Sequence, residues 1–448
     1  MKRKAVVLFL GGEKGAGCGR AGGKLFVPLL GRPLGAYALE AVCGLGPDAV
    51  LVLAGAGGAE ALENWECLIK GVNTKTPAFL LADRARKEGR LGSEIAALIT
   101  ARAVLEKYPE HDILAVPAGL PLLRTPTLRA FLRAHASKGT SLTFMSRGRE
   151  GGLSGLLAVR SADVFPLLRG IAARRGMAGF EVLARRLTKA GKSVGFFECP
   201  ADEEVLPVRT AEDMSRTTRL LRERKSASLA RKGVILLDPD SAWIDWAVEV
   251  GPRTTIYPAV VIEGETRIGA DGRISPHVHI MNSRLGARVR VLSSTVMEDS
   301  VLEDDAQVGP FSRLRPKTRV CSGAKVGNFV EMKNTLFGPR SKAQHLSYLG
   351  DSQVEEDVNV GAGTITCNYD GFSKNPTLIG AGAFIGSGAE LVAPVKIGRK
   401  AYVAAGSTIT RDVPAGGLAI ARARQVEKPG WVLEKVRGRK KKGRGDKP

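Results

Sequence analysis

The chain has 448 residues, enough for two or three domains with sizeable cores, and 44% of them are apolar, an ordinary share for a soluble globular protein. Fifty-four glycines and only 5% aromatics favour a tightly coiled β architecture over a helical bundle. The net charge of +22 attracts phosphates, but no RNA-binding signature or aromatic series accompanies the basic residues, so nucleic acid is not the expected partner.

No apolar stretch approaches the ~18 residues of a membrane helix. The opening MKRKAVVLFLGG carries a short apolar run that turns into glycine, which fits a buried first strand rather than a leader. Six cysteines form no CxxC pair and are expected as reduced thiols in a cytoplasmic protein.

Ala5–Leu10 is a continuous apolar run before Gly11 and Gly12, the pattern of a buried parallel strand entering a glycine-rich loop. A helix is expected over Pro33–Val42, a strand over Ala49–Leu53, a helix over Ser93–Leu105 and a strand over Asp112–Val116. A helix over Thr125–His135 and a strand over Ser141–Met145 follow. This alternation predicts a doubly wound α/β sheet across residues 1–208. The loop from Gly11 through Gly12 to Lys24 has two readings: a cradle of backbone amides for phosphate, or a plain flexible loop. Leu25 after Lys24 excludes a P-loop.

The strand, the loop and then KLFVPLLGRPL from Lys24 to Leu34 resemble the opening of sugar-nucleotide pyrophosphorylases. The resemblance implies a nucleotidyltransferase-like fold. It places the uridine-reading glutamine near Lys87 and a Gly-Thr pair on Gly92-Ser93. Those enzymes join two anions with the help of Mg²⁺ held by an aspartate and an asparagine. Here the aspartate position is Gly119, within Ala118-Gly119-Leu120-Pro121-Leu122, and the asparagine falls on Arg209 or Thr210. The expectation is a retained fold with a degenerate uridyl-transfer site and no metal ligands, Mg²⁺ being required only if that activity persists.

Residues 209–250 read as a linker. Thr210–Arg231 is strongly helical, with Thr210 as cap and Glu212 and Asp213 in the first turn, and Gly233–Asp240 is a strand and turn. From 251 to 425 the pattern changes. Ile256, Ile262, Ile268, Ile274 and Ile280 stand six apart, as do Ile379, Ile385, Leu391, Ile397, Val403 and Ile409. Period six marks the hexapeptide repeat of a parallel β-helix, three hexads to a coil and roughly nine coils. The tail 426–448, with RGRKKK at 437–442, reads as a disordered basic run.

Within the repeats, FSRLRP (311–316), GNFVEMK (327–333), HLSYLGD (345–351), NVGAGTITCNYD (359–370) and Lys374 resemble the acetyltransferase half of the bifunctional N-acetylglucosamine-1-phosphate uridyltransferase/glucosamine-1-phosphate acetyltransferase family. The close match covers about Gly309 to Trp431. The resemblance implies a left-handed β-helix, assembled as a homotrimer with sites between chains, that acetylates glucosamine-1-phosphate from acetyl-CoA. An ammonium cannot attack a thioester, so a base is needed, and an imidazole titrates near neutral pH. His345 is the candidate, with Glu331 implied as its supporting carboxylate. Arg315, Lys333 and Lys374 are implied as phosphate-binding cations, with Tyr348 and Asn359 on phosphate or sugar hydroxyls. Acetyl-CoA contacts carry over to Ala362, Asn368, Tyr369, Ser387, Ala405 and Arg422. His277 and His279 are read as structural or solvent-exposed, and Cys367 as a packing residue. The rival expectations are a fully bifunctional enzyme, an N-terminal domain that senses a nucleotide or binds a partner, and another acyl acceptor on the same prism.

Overall fold

The computed structural model describes residues 5–11, 24–54, 58–72, 76–82, 98, 101–148, 152–168 and 179–442. The chain divides into two compact units, Met1–Val248 with Val261–Glu265, and Glu249–Val260 with Thr266–Pro448.

The first unit is built on a seven-stranded sheet. Its spatial order is Ala78–Ala82, Ala49–Ala54, Ala5–Gly11, Asp112–Pro117, Leu153–Arg160, Leu142–Ser146 and Val194–Glu198. The first four strands are parallel, and Leu153–Arg160 runs antiparallel to both its neighbours. Alternate residues feed two cores. Val50, Val52, Leu114 and Val116 point to one side, and Leu51, Leu53, Ile113 and Ala115 to the other. A sheet covered on both faces must be apolar at every position, which is why these strands read as unbroken runs.

Helices occupy Leu34–Cys43, Gly58–Gly71, Thr125–Ser137, Ser161–Leu168 and Gly179–Lys189. The helix expected over Ser93–Leu105 lies largely outside the described residues; residues 101–105 are helical. Of the glycine-loop residues, Gly11 ends the first strand and Lys24 opens a short 3-10 turn, while Gly12, Gly92 and Ser93 lie outside the described residues. The helix Ala211–Arg231 starts in a capping box: Thr210 accepts the Asp213 N–H and Asp213 accepts the Thr210 N–H.

In the second unit, parallel strands of two to four residues stack coil on coil into three sheets. One inward column runs Ile256, Ile274, Val291, Val308, Val326, Ala343, Val360, Ile385 and Val403. A second runs from Val250 and Ile268 through Phe337 to Ile379 and Ile397. The third includes Ile280, Met297, Leu314, Met332 and Leu349. All of these are buried.

Most turns at the corners of the prism are made by one residue in the left-handed backbone region. One corner carries Arg253, Asp271, Arg288, Asp305, Arg340, Asp357 and Lys400; the next carries His277, Ser294, Phe311, Phe329 and Leu346; the third carries Asn282, Asp299, Lys317, Asn334 and Asp351. On the first corner, opposite charges one coil apart pair, as in Arg253 with Asp271, Arg288 with Asp305, and Arg340 with Asp357.

Within the 426–448 segment, which is expected to be a disordered basic run, Trp431–Lys442 is an α-helix. Its Leu, Glu, Lys and Arg residues are good helix formers, and its described side chains are exposed.

Candidate functional site

Strand alternation places the residues around Glu331. In Glu331–Lys333 the middle residue, Met332, is buried, so Glu331 and Lys333 face outward from one sheet. Tyr348 is the register neighbour of Glu331 one coil on, and Gly350 that of Lys333. The Arg315 guanidinium donates to Glu331 Oε1 at 2.9 Å. Arg315, Glu331, Lys333 and Tyr348 therefore share one face.

Lys374 joins them from the loop that follows Asn368. Asp370 staples this loop. Its Oδ1 accepts the Phe372 and Ser373 N–H groups, and its Oδ2 the Ser373 hydroxyl and the Asn375 amide. Those donors, the Ser373 and Phe372 N–H first, hold the Asp370 carboxyl well below the usual carboxylate range. Lys374 comes close enough to Lys333 for the two like charges to act on each other. The proximity of Lys374 holds the Lys333 ammonium below the usual lysine range, with Arg315 adding and Asp351 opposing. Two ammonium groups and a guanidinium gathered on one exposed face form a site for an anion.

His345 ends the strand Lys342–His345 on the adjoining sheet and is exposed. Its register neighbour is Asn328. The corner residues Phe329 and Leu346 separate His345 from the Glu331 face. Among the described residues, the hydrogen-bond partner of Glu331 is Arg315, and no bond joins Glu331 to His345. Asn359 also lies apart: it stands on the sheet of Lys325 and Lys342, opposite Lys342.

The small residues singled out in the sequence fall in line along the corner above Leu346. There Gly363, Gly388 and Gly406 take the left-handed position that Phe311, Phe329 and Leu346 occupy below. Each glycine follows one of Ala362, Ser387 and Ala405. Gly388 N–H donates to Ala362 O at 2.7 Å, Gly406 N–H to Ser387 O at 2.8 Å, and Arg422 donates to Ala405 O at 2.9 Å. The result is a bare edge that starts beside His345, rises ~4.8 Å per coil and ends at a guanidinium. Below it, the exposed rings of Phe311 and Phe329 stack with centroids 5.6 Å apart. Asn368 and Tyr369 sit at the far end of the strand Ile365–Cys367, next to Asp351. Burial pushes the Cys367 thiol up, which leaves it a poor nucleophile.

In the first unit, the two positions of the pyrophosphorylase metal pair are neighbours: Val208 N–H donates to Gly119 O at 3.0 Å. Gly119 offers no side chain, and Arg209 is a cation. The Asp213 carboxylate lies close by, and its Oδ2 is occupied by the Arg209 and Thr210 N–H groups. This donor set does not fit a divalent cation. Glu204, buried nearby, is taken up by Arg124. Among the described residues, no helix is long and apolar enough to cross a membrane.

Comparison with known proteins follows the same division. The MobA-like NTP transferase domain family matches residues 7–193, and the bacterial transferase hexapeptide family (six repeats) matches residues 376–411. The Bifunctional protein GlmU of Pelobacter propionicus is 34% identical over 445 residues, covering 92% of this chain and 94% of the relative. That of Carboxydothermus hydrogenoformans is 36% identical over 384 residues, 78% of this chain and 85% of the relative. That of Thermotoga maritima is 50% identical over 232 residues, 52% of each chain, so about half the length of that relative is spanned.

Proposed function

Because this chain belongs to the bifunctional GlmU family, we propose that its repeat domain transfers an acetyl group from acetyl-CoA to the amine of glucosamine-1-phosphate, giving N-acetylglucosamine-1-phosphate. The observation that carries this reading is the anion site of Arg315, Lys333 and Lys374, set across one corner from an exposed histidine at the foot of a glycine edge.

In this mechanism the sugar's phosphate lies against the three cations, with Tyr348 beside it. His345 takes a proton from the sugar's amino group. The freed nitrogen attacks the thioester carbonyl carbon, the carbon–sulfur bond breaks, and the CoA thiolate leaves and is protonated. The pantetheine arm runs along the edge of Gly363, Gly388 and Gly406, where no side chain stands in the way, and Arg422 meets the CoA phosphates. Glu331 orders Arg315 within the chain. The placement of Asn359 on another face, together with the exposed Phe311–Phe329–Leu346 ridge, supports a homotrimer in which a second copy completes the site. We place the enzyme in the cytoplasm, where acetyl-CoA is available, with residues 251–425 as its catalytic domain.

His345→Ala tests the reading. Loss of a general base lowers kcat by roughly 10²–10⁴, while the exposed position leaves the fold intact. Normal turnover in this variant overturns the assignment. The bifunctional name of relatives that align along most of this chain favours a second reading, in which residues 1–208 also transfer uridyl from UTP. The donor set around Gly119 and Arg209 speaks against it. Pyrophosphate release from UTP, Mg²⁺ and N-acetylglucosamine-1-phosphate decides for the second activity, and UTP binding without turnover decides for a sensing domain.

A further inference from the structure

We propose that Asp351 is a positioning residue for acetyl transfer: it holds the Asn368 amide in a single orientation and sets a negative charge beside the Lys333–Lys374 pair. The inference rests on the acetyl-transfer reading. The motif HLSYLGD contains Gly350 and Asp351, but the resemblance implies a role for neither.

Asp351 turns a corner of the prism in left-handed backbone, φ 48°. Its Oδ1 accepts Asn334 Nδ2 at 2.6 Å, and its Oδ2 accepts Asn368 Nδ2. These three residues lie on successive coils. An ionised carboxylate only accepts, so both amides must turn their NH₂ ends toward it. The Asn368 carbonyl oxygen therefore faces away and is presented as an acceptor. Asn368 is buried, which makes a reversed amide costly.

Gly350 makes the arrangement possible. A Cβ there would fall 2.5 Å from the Tyr348 hydroxyl and 2.7 Å from Asn368 Nδ2. The hydroxyl and the amide both come in over a bare Cα. Lys333 is the register neighbour of that glycine, and the charge of Asp351 acts on it against those of Lys374 and Arg315. One carboxylate thus ties a candidate acetyl-CoA contact to the candidate phosphate site.

Asp351→Asn in the full-length protein is the test. The substituted side chain keeps its shape but has one acceptor oxygen where the carboxylate had two, so at most one of the two amides keeps its partner, and any bond left to Asn368 is no longer charge-assisted. We expect the KM for acetyl-CoA to rise three- to tenfold, about one hydrogen bond. The KM for glucosamine-1-phosphate stays level or falls, because no attraction to phosphate is lost. Asn368→Ala raises the acetyl-CoA KM alike, and adding Asp351→Asn to it brings no further rise. Asn334→Ala breaks only the other bond and keeps the acetyl-CoA KM within twofold. The inference is overturned if both constants stay within twofold of wild type in Asp351→Asn, if both rise together, if the two substitutions multiply, or if Asn334→Ala loses as much. A wild-type protein that does not acetylate the sugar defeats the underlying reading instead.

Discussion

Two glycines four residues apart in sequence separate steric from conformational constraint in the prism. At Gly327 an added Cβ would lie 2.6 Å from Gln344 Cα, and closer still to its carbonyl carbon and oxygen. An ordinary carbon contact is about 3.5–4.0 Å, so the two coils would have to part by roughly 1 Å. Both sides of the clash are backbone, and no side chain can yield. The flanking bonds, Lys325 N–H to Ser341 O at 2.9 Å and Leu346 N–H to Asn328 O at 3.1 Å, would stretch beyond useful length. Two lost backbone bonds at about 1 kcal/mol each, with loosened packing around Val326 and Ala343, make Gly327→Ala about 3 kcal/mol destabilising. For a unit of this size that is a drop in Tm of roughly 6–12 °C. Because Gln344 precedes His345, kcat falls as well. At Gly323 the backbone is left-handed, φ +66°, but the nearest atom to an added Cβ is Arg340 Cγ at 3.7 Å. The adjacent corners of that column are Asp305 and Arg340, also left-handed, so Gly323→Ala costs about 1 kcal/mol and keeps full activity. Calorimetry with steady-state kinetics on the two variants checks this. Equal losses at the two positions, or an unperturbed Gly327→Ala, would refute the claim that close approach of the coils, rather than backbone freedom, selects glycine at 327.

Two further outcomes concern the anion site. Lys333 is held below the usual lysine value of 10.5, chiefly by Lys374; its charge is lost as pH rises through that lowered value, so on raising the pH the KM for glucosamine-1-phosphate should begin to climb before 10.5 is reached. Lys374→Ala removes that repulsion and should move the alkaline limb upward even as binding weakens; a limb that stays put or moves down counts against it. Asp370, held below its usual 3.8, contributes fully above that value, and its staple is lost as pH falls through the lower folded value. Asp370→Asn should free the loop bearing Lys374 and raise the KM for the sugar phosphate with little change in Tm; an unchanged KM tells against the staple.

The ends of the prism were legible because their aliphatics keep strict period six. The middle was not. Ile280 to Leu285, Met297 to Leu302, Met332 to Phe337 and Leu349 to Val354 are each five residues apart, yet all of these stand in the inward columns. One corner of each such coil is a residue short, and a period search loses phase there. Thr366 and Ile379 are farther apart still because the loop with Asp370 and Lys374 lies between them. In the first unit Ala5–Gly11, Ala49–Ala54 and Asp112–Pro117 were readable as apolar runs, whereas Ala78–Ala82, Leu153–Arg160 and the half-exposed edge strand Val194–Glu198 were not. The Arg315–Glu331 pair was hidden because the two residues belong to different coils.

Two of the four short corners, at Asn334 and Asp351, and the inserted loop fall where the candidate site lies, and there is a physical reason for the coincidence. A regular coil buries one aliphatic per face and hands its backbone bonds to the next coil, so every rung presents the same surface. A site needs rungs that differ. Shortening the corner brings Asn334 and Asp351 into line. Stripping side chains from the next corner bares the edge of Gly363, Gly388 and Gly406, and lengthening the following corner by a loop places Lys374 against Lys333. Each departure leaves the inward column unbroken, as Met332, Leu349, Ile379 and Leu391 all remain buried. The core therefore holds its stability while the surface departs from the repeat. Insertion of one residue at the Asn334 corner should disturb Asn368, read as a rise in the KM for acetyl-CoA, without exposing Phe337.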